Sequence, residues 1–510
     1  MSAGFHPAGP GGEPQLPTDL SVTSSREVAV GFAWLSTTQV VQILFFLAFT
    51  PALARLLTPS DFGVMAAATL VLSFVDTFST LALGHALVQR KTLSTSHSGS
   101  ALTVSMLMST ALAAGLVAAA PGLADTFRIP ALQTILRTLA FMVPLTALAT
   151  ISQFILQRNL RFRALALADL VPQVAATALV AIPLAALGLG FWSLVIAAAL
   201  AATARTAVLA ILAAAWLKPA LCARSLRELL GYGVPYTGTS LLIFAATRFD
   251  QLVIVRLLGE ASLGLYNRIT AILNPVVAIL GSSADRVLFP LVSQHQDDPG
   301  YLRRSYFYLV RLSSLICLPL SAAVAMHARA IIHILLGAQW LHATVPLAVL
   351  AGALFFRITH SVVDTFHRSL GLVKRQGAIY GVYTGAVVGF TLFGVRWGLT
   401  GAACGLSLAV VIHFMLLTAS LWSRLRFGLG KALRSHASGV PPAAAVLALS
   451  LAARWVTSEF GAPALVSVFV FAGLCLVLAS LALLWIRRTH PGTPLLSALR
   501  SFIDSIANAG

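Results

Sequence analysis

The stretch FWSLVIAAALAATARTAVLAILAAAW, residues 191–216, runs for 26 residues with a single charge, Arg205. Coiled as a helix at ~1.5 Å per residue it would be ~39 Å long, enough to cross a hydrocarbon core of ~30 Å. Indoles stand near its two ends, Trp192 and Trp216, where an amphipathic ring belongs at a membrane interface. Fourteen comparable stretches, each followed by a turn-like or charged break, fill nearly all of the chain from Val28 to Arg488. They centre on residues 30–54, 63–87, 99–120, 133–155, 165–187, 191–216, 234–257, 262–290, 306–326, 342–364, 377–395, 398–422, 438–456 and 464–486. The fold class expected is therefore all-α and integral to the membrane, with about 14 transmembrane helices.

Composition agrees, because 58% of the 510 residues are hydrophobic and only 10% are charged, against roughly 25% charged in soluble chains. The net charge of +18 is spread through short loops rather than gathered in a basic domain, so no nucleic-acid partner is expected. Residues 1–25 are rich in Gly and Pro, lack the order of a signal peptide and read as a disordered cytoplasmic tail. The cysteines Cys222, Cys317, Cys404 and Cys475 have no paired spacing, so neither a disulfide framework nor a metal site follows from them. Segments outside the spans are too short for a soluble catalytic or nucleotide-binding domain, and no GxxxxGK[ST] run occurs. No enzyme activity and no cofactor are expected.

Basic residues set the orientation. Twenty-one Arg and Lys lie in the terminal segments and in the loops that follow even-numbered spans, against seven on the other side. The positive-inside rule then puts both termini in the cytoplasm. All eight tryptophans fall near expected span ends.

An internal repeat is visible at a constant offset of 201 residues. Arg26-Glu27 matches Arg227-Glu228, Arg55-Leu56-Leu57 matches Arg256-Leu257-Leu258, and Gly63 matches Gly264. Seven of 39 aligned positions are identical, and six of these seven are charged residues, glycines or the Leu pairs that follow the arginines. Six spans per copy is an even number, so the copies would be parallel repeats, a transporter architecture. The expected organisation is a tail at 1–25, a six-helix lobe at 26–217, a second at 218–424, two added helices at 425–488 and a cytoplasmic tail at 489–510.

Ionisable groups at membrane depth cost ~2.5–3.5 kcal/mol each on insertion scales and commonly line cavities or pair. Asp76, Arg205, Arg248, Asp250, Arg286, Arg311 and Arg357 are the candidate substrate-binding residues, with Asp285 and Asp364 also inside spans. Arg248 and Asp250 are two residues apart, on different helix faces, and need separate partners. Arg286, Arg311 and Arg357 are expected to converge on a cavity open to the cytoplasm, while Asp364 lies near enough to the interface to be solvated. The excess of guanidinium over carboxylate favours an anionic substrate, because an Arg fork matches phosphate geometry and stays charged in a low dielectric. His360, His367 and His413 read as isolated packing or hydrogen-bonded residues rather than proton relays. Pro144, Pro172, Pro275 and Pro319 are expected to kink their helices.

The ordered set Leu56-Leu57-Thr58-Pro59-Ser60-Asp61-Phe62-Gly63, Leu83-Gly84 and Leu87-Val88-Gln89-Arg90-Lys91 resembles the first two spans of the Wzx-type polysaccharide and lipid-linked oligosaccharide flippases. Asp250-Gln251-Leu252-Val253-Ile254, Arg256-Leu257-Leu258-Gly259, Leu263-Gly264-Leu265-Tyr266-Asn267-Arg268, Phe289-Pro290 with Ser293, and Gly337-Ala338-Gln339-Trp340 extend the likeness over about residues 25 to 420. These flippases belong to the multidrug/oligosaccharidyl-lipid/polysaccharide exporter superfamily. The resemblance implies a bacterial inner-membrane protein that carries an undecaprenyl-diphosphate-linked oligosaccharide to the periplasmic leaflet, with membrane lipid and other polysaccharide assembly proteins as its surroundings. Arg248 departs from the pattern, since the family often has Asn there. Three other readings stay open: a multidrug/cation antiporter of the same superfamily, a membrane polysaccharide polymerase or glycosyltransferase, and a structural membrane protein with no transport role, which would leave the deep charges unexplained.

Overall fold

The computed structural model describes residues 25–80, 83–89, 94–460 and 473, although some side chains within these ranges, that of Arg286 among them, fall outside the description. The expected tail at 1–25, but for Ser25, the span at 464–486, but for Gly473, and the tail at 489–510 also lie outside the described residues. All regular structure among the described residues is helical: α1 (Ser25–Leu56), α2 (Pro59–Ser79), α3 (Leu83–Gln89), α4 (Thr95–Phe127), α5 (Pro130–Leu139), α6 (Met142–Arg158), α7 (Phe162–Ala186), α8 (Phe191–Trp216), α9 (Ala223–Gln294), α10 (Pro299–Met326), α11 (Ala328–Leu335), α12 (Thr344–Gly352), α13 (Leu354–Ser369), α14 (Val373–Gly394), α15 (Gly398–Leu425), α16 (Leu429–Ala437) and α17 (Val440–Phe460). Among the described residues, seven segments are long and apolar enough to cross a membrane, and the pair α5 and α6, bent by 47°, makes an eighth if it is one span. The chain is a multi-pass membrane protein.

Local sequence explains where helices stop and turn. Thr58 and Asp61 cap α2 reciprocally: the Thr58 backbone N–H and hydroxyl donate to Asp61 Oδ2 at 2.8 and 2.7 Å, and the Asp61 N–H donates to Thr58 Oγ1 at 3.2 Å. Pro59 sits between them, where its missing N–H costs nothing. Asp298 does the same for α10, accepting from the N–H groups of Gly300 and Tyr301 at 2.8 and 2.9 Å. Those bonds, that from Tyr301 foremost, hold its carboxyl below the ordinary carboxylate value. Pro144 falls in the first turn of α6, immediately after the 47° bend; a proline there cannot donate back into the preceding helix, so the ladder is interrupted where the chain turns. The long α9 is two helices broken at Gly259, whose φ of 83° lies in the left-handed region that glycine tolerates.

Two compact units emerge. Among the described residues, the first contains 25–57 together with Val64–Phe244, and the second contains Thr58–Gly63 and 245–460. In the first unit Leu83, Leu87, Ile151, Ile155, Leu209 and Leu229 form a buried core. Tyr306, Val363, Phe366, Leu417 and Leu421 do so in the second.

Within the second unit the repeat acquires a physical meaning. A Cβ on Gly63 would overlap the carbonyl oxygen of Glu260, and a Cβ on Gly264 would overlap that of Pro59. Pro59 and Glu260 are themselves related by the offset of 201. The two helix starts therefore cross in mutual backbone contact, each glycine against the other copy's first turn. Such close approach is available only without a side chain at the crossing.

One tryptophan departs from expectation. Trp340 has no solvent exposure and meets the Phe62 ring edge-on at 5.4 Å, while the Arg268 guanidinium lies 4.5 Å from the centre of the same Phe62 ring. It is a packing residue of the second unit. Trp397 and Trp422 remain largely exposed, as interfacial anchors should.

Candidate functional site

A cavity of about 330 Å³ opens in the second unit, lined by parts of α9, α13, α14 and α15. Arg248, Asp250 and Arg357, all read from the sequence as charges at membrane depth, line it together. Arg248 is exposed and Asp250 buried, so the two-residue spacing sends their side chains to different surroundings although both border the same space. The Tyr266 hydroxyl donates to Asp250 Oδ2, leaving Oδ1 buried and without a hydrogen-bond partner among the described residues. Arg357 Nη2 donates to Asn274 Oδ1 at 3.1 Å, and its Nη1 is likewise buried and unpartnered.

Leaving such groups unsatisfied costs roughly 1–3 kcal/mol each, more when charged. A wall that holds an unused guanidinium donor and an unused carboxylate acceptor is arranged for something that arrives from outside. Asn267, Asn274 and Tyr383 complete a polar lining. Two guanidiniums against one carboxylate give the cavity a net positive wall, the sign expected for an anion.

Other candidates from the sequence lie elsewhere. Arg311 is exposed on α10 and is absent from the cavity lining; a long Arg stem keeps its head in polar surroundings from such a place. The side chain of Arg286 lies outside the described residues; of Arg311 and Arg357, Arg357 alone lines this cavity. Asp76 and Arg205 belong to the first unit. Asp76 accepts from Thr146 Oγ1 at 2.9 Å. Arg205 donates through Nε to Asp169 at 2.6 Å and through Nη2 to Gln153 at 2.7 Å. Asp169 was not singled out in the sequence, where nothing marks the pairing of two consecutive spans.

Asp364 corrects an expectation. It is buried rather than solvated, because Gln376 Nε2 and the Tyr380 hydroxyl donate to its two oxygens at 3.0 and 2.9 Å and so replace water.

The fold is that of a multi-pass helical membrane protein with a positively walled cavity. The overall structure is similar to the lipid II flippase MurJ in an inward closed conformation, with a TM-score of 0.68, 14% identity, and coverage of 90% of this chain and 99% of that one. It is also similar to a multidrug resistance MATE family transporter of the MOP superfamily, with a TM-score of 0.57, 17% identity and coverage of 78% and 99%. At these identities the likeness is one of fold.

Residues 52–345 match the family described as "Polysaccharide biosynthesis protein", and the chain belongs to that family. Among curated relatives, the succinoglycan biosynthesis transport protein ExoT of Rhizobium meliloti (strain 1021) is 24% identical over 462 residues, covering 88% of this chain and 89% of ExoT. The lipopolysaccharide biosynthesis protein WzxC of Escherichia coli (strain K12) is 22% identical over 331 residues, covering 62% and 65%.

Proposed function

We infer that the protein is a flippase of polysaccharide biosynthesis that carries a lipid-linked oligosaccharide, with undecaprenyl diphosphate as the lipid anchor, from the cytoplasmic to the periplasmic leaflet of a bacterial inner membrane. The observation that carries this reading is the cavity wall on which Arg248 and Arg357 face one carboxylate, Asp250, with Arg357 Nη1 unused. Membership of a polysaccharide biosynthesis family and the names of ExoT and WzxC support the substrate class.

A diphosphate offers the bidentate acceptor geometry that a guanidinium fork fits. Arg248 and Arg357 take the diphosphate, and Asp250, held by Tyr266, keeps the two cations apart and aligned. The sugars cross in water while the polyprenyl tail stays in lipid, and alternating access opens the site to one side of the membrane and then to the other. Both termini lie in the cytoplasm, as the basic-residue bias requires; 26–217 and 218–424 are the two repeats, with 425–488 appended. The protein binds and moves its substrate without breaking a bond in it, and hands the product to other polysaccharide assembly proteins. A multidrug/cation antiporter would need carboxylates to dominate the cavity wall, and here guanidinium does.

The test is restoration of surface polysaccharide in a strain deleted for the gene. Arg357→Ala, present in the membrane at wild-type abundance, should export about a tenth of the wild-type polysaccharide or less, and Arg357→Lys should restore export in part. Full export by Arg357→Ala and by Arg248→Ala would sink the phosphate-binding reading.

A further inference from the structure

Beside the cavity, His360, Asp364 and His413 present one ligand atom each, all within 4.8 Å of one another. His360 and Asp364 are one helical turn apart on α13, the i, i+4 spacing that puts two ligands on one face. His413 faces them from α15. The ring centroids of His360 and His413 are 5.4 Å apart.

Hydrogen bonding separates His413 from the other buried histidines: His436, outside the group, keeps Nδ1 on the Ala432 carbonyl at 2.7 Å and lacks a partner only at Nε2. His367, on α13 with His360, uses both nitrogens, Nδ1 with the Val363 carbonyl at 2.9 Å and Nε2 with Ser420 Oγ at 3.0 Å. His413 is wholly buried, yet neither Nδ1 nor Nε2 has a partner among the described residues, and His360 Nδ1 is buried and unpartnered as well. Three enclosed imidazole nitrogens without partners, next to a carboxylate, form a donor set without an internal acceptor. The carboxylate is already oriented, by Gln376 on one oxygen and Tyr380 on the other. Outer hydrogen bonds of this kind hold metal ligands in place.

We propose that His360, Asp364 and His413 form a binding site for a first-row divalent cation of the Zn²⁺ type. Two imidazoles and one carboxylate suit zinc, cobalt or nickel, whereas calcium and magnesium take oxygen shells. Three protein ligands leave the fourth tetrahedral position open, the arrangement of an exchangeable site rather than a closed structural one. Ligand atoms around such an ion stand about 3.3 Å apart, given bonds of ~2.0 Å, so rotation of the side chains must shorten separations of up to 4.8 Å by as much as about 1.5 Å. One carboxylate against a dication leaves a single positive charge, one turn of α13 away from Arg357. Tyr383, which lines the cavity, also lies 4.4 Å from the His413 ring. Metal occupancy would therefore fix one wall of the cavity and add to its positive charge. The proposal does not depend on what the cavity transports.

Co²⁺ is the probe. Full-length protein purified in detergent and stripped with EDTA should take up one Co²⁺ per chain and develop the strong visible absorption of a tetrahedral site, displaced by added Zn²⁺. His413→Gln and Asp364→Asn, which nearly conserve volume, should lose the band and bind at least ~10-fold more weakly. His342→Gln, at an exposed position, should titrate like the wild type. Wild-type protein that develops no band, as when the cluster holds only a proton, would overturn the proposal whatever the variants do. Equal Co²⁺ binding by wild type, His413→Gln and Asp364→Asn would do so too, since the metal would then sit on surface histidines.

Discussion

Arg205 and Arg357 are both arginines at membrane depth, one in each compact unit, and the structure treats them oppositely. Arg205 spends its nitrogens inside the first unit, on Asp169 at 2.6 Å and Gln153 at 2.7 Å. Arg357 makes one bond, to Asn274, and keeps Nη1 buried and unused at the edge of a cavity. The carboxylates divide the same way, Asp364 being satisfied on both oxygens and Asp250 on one. A charge placed in a membrane is therefore informative less by its depth than by what its polar atoms have left to bind.

The comparison breaks most sharply at Arg357. Arg357→Ala should reduce transport by about 10- to 100-fold at wild-type membrane abundance, the equivalent of a lost charge-assisted hydrogen bond, measured as flipping of a labelled lipid-linked oligosaccharide in proteoliposomes. Next comes Asp250→Asn, expected to impair transport by about tenfold; Tyr266→Phe should copy part of that loss, because both release the same carboxylate contact. Transport at the wild-type rate in both variants would make the pair a structural one.

Arg205→Gln should leave transport within about twofold of wild type but lower the thermal midpoint, since it leaves the Asp169 carboxylate without its partner at membrane depth. The paired variant Arg205→Gln with Asp169→Asn should recover the thermal midpoint of the wild type. A loss of transport as large as that of Arg357→Ala would erase the distinction between the two units.

The smallest effect concerns Asp298, whose carboxyl is held below its ordinary value of 3.8 by the N–H groups at the start of α10. A depressed carboxyl contributes its stabilisation fully above the unfolded value, about 3.8, and loses it as the pH falls through the lower folded value. Amide exchange at Gly300 and Tyr301 should therefore be protected at neutral pH and rise only in strong acid, whereas in Asp298→Ala the protection should be absent at every pH.

Much of the architecture was legible because membrane burial writes itself in composition. Runs such as 191–216 need no partner to be recognised, and α8 occupies those residues. Thr58-Pro59-Ser60-Asp61 stood out in the sequence as a family likeness, and its capping bonds came from the structure. Arg248, Asp250 and Arg357 could be nominated because charge in an apolar run is conspicuous. What could not be read was pairing between helices. Asp169 against Arg205, Trp340 against Phe62, and His360 with Asp364 against His413 each join residues far apart in the chain. The His360–Asp364 spacing was the one local signal for that last group, and its meaning depended on a third ligand that only the packing of α13 against α15 supplies.

The crossing of the two helix starts at Gly63 and Gly264 has the form of an isologous contact folded into one polypeptide: each member touches, on the other, the counterpart of the place where it is itself touched. A chain half as long, bearing a single Arg-Leu-Leu segment with its glycine, would present that same patch to a second copy of itself. Fusion of two such chains would convert a homodimer seam into an intramolecular one, after which selection could let the charged residues of the halves diverge while the glycines, which admit no substitute at that distance, stayed alike.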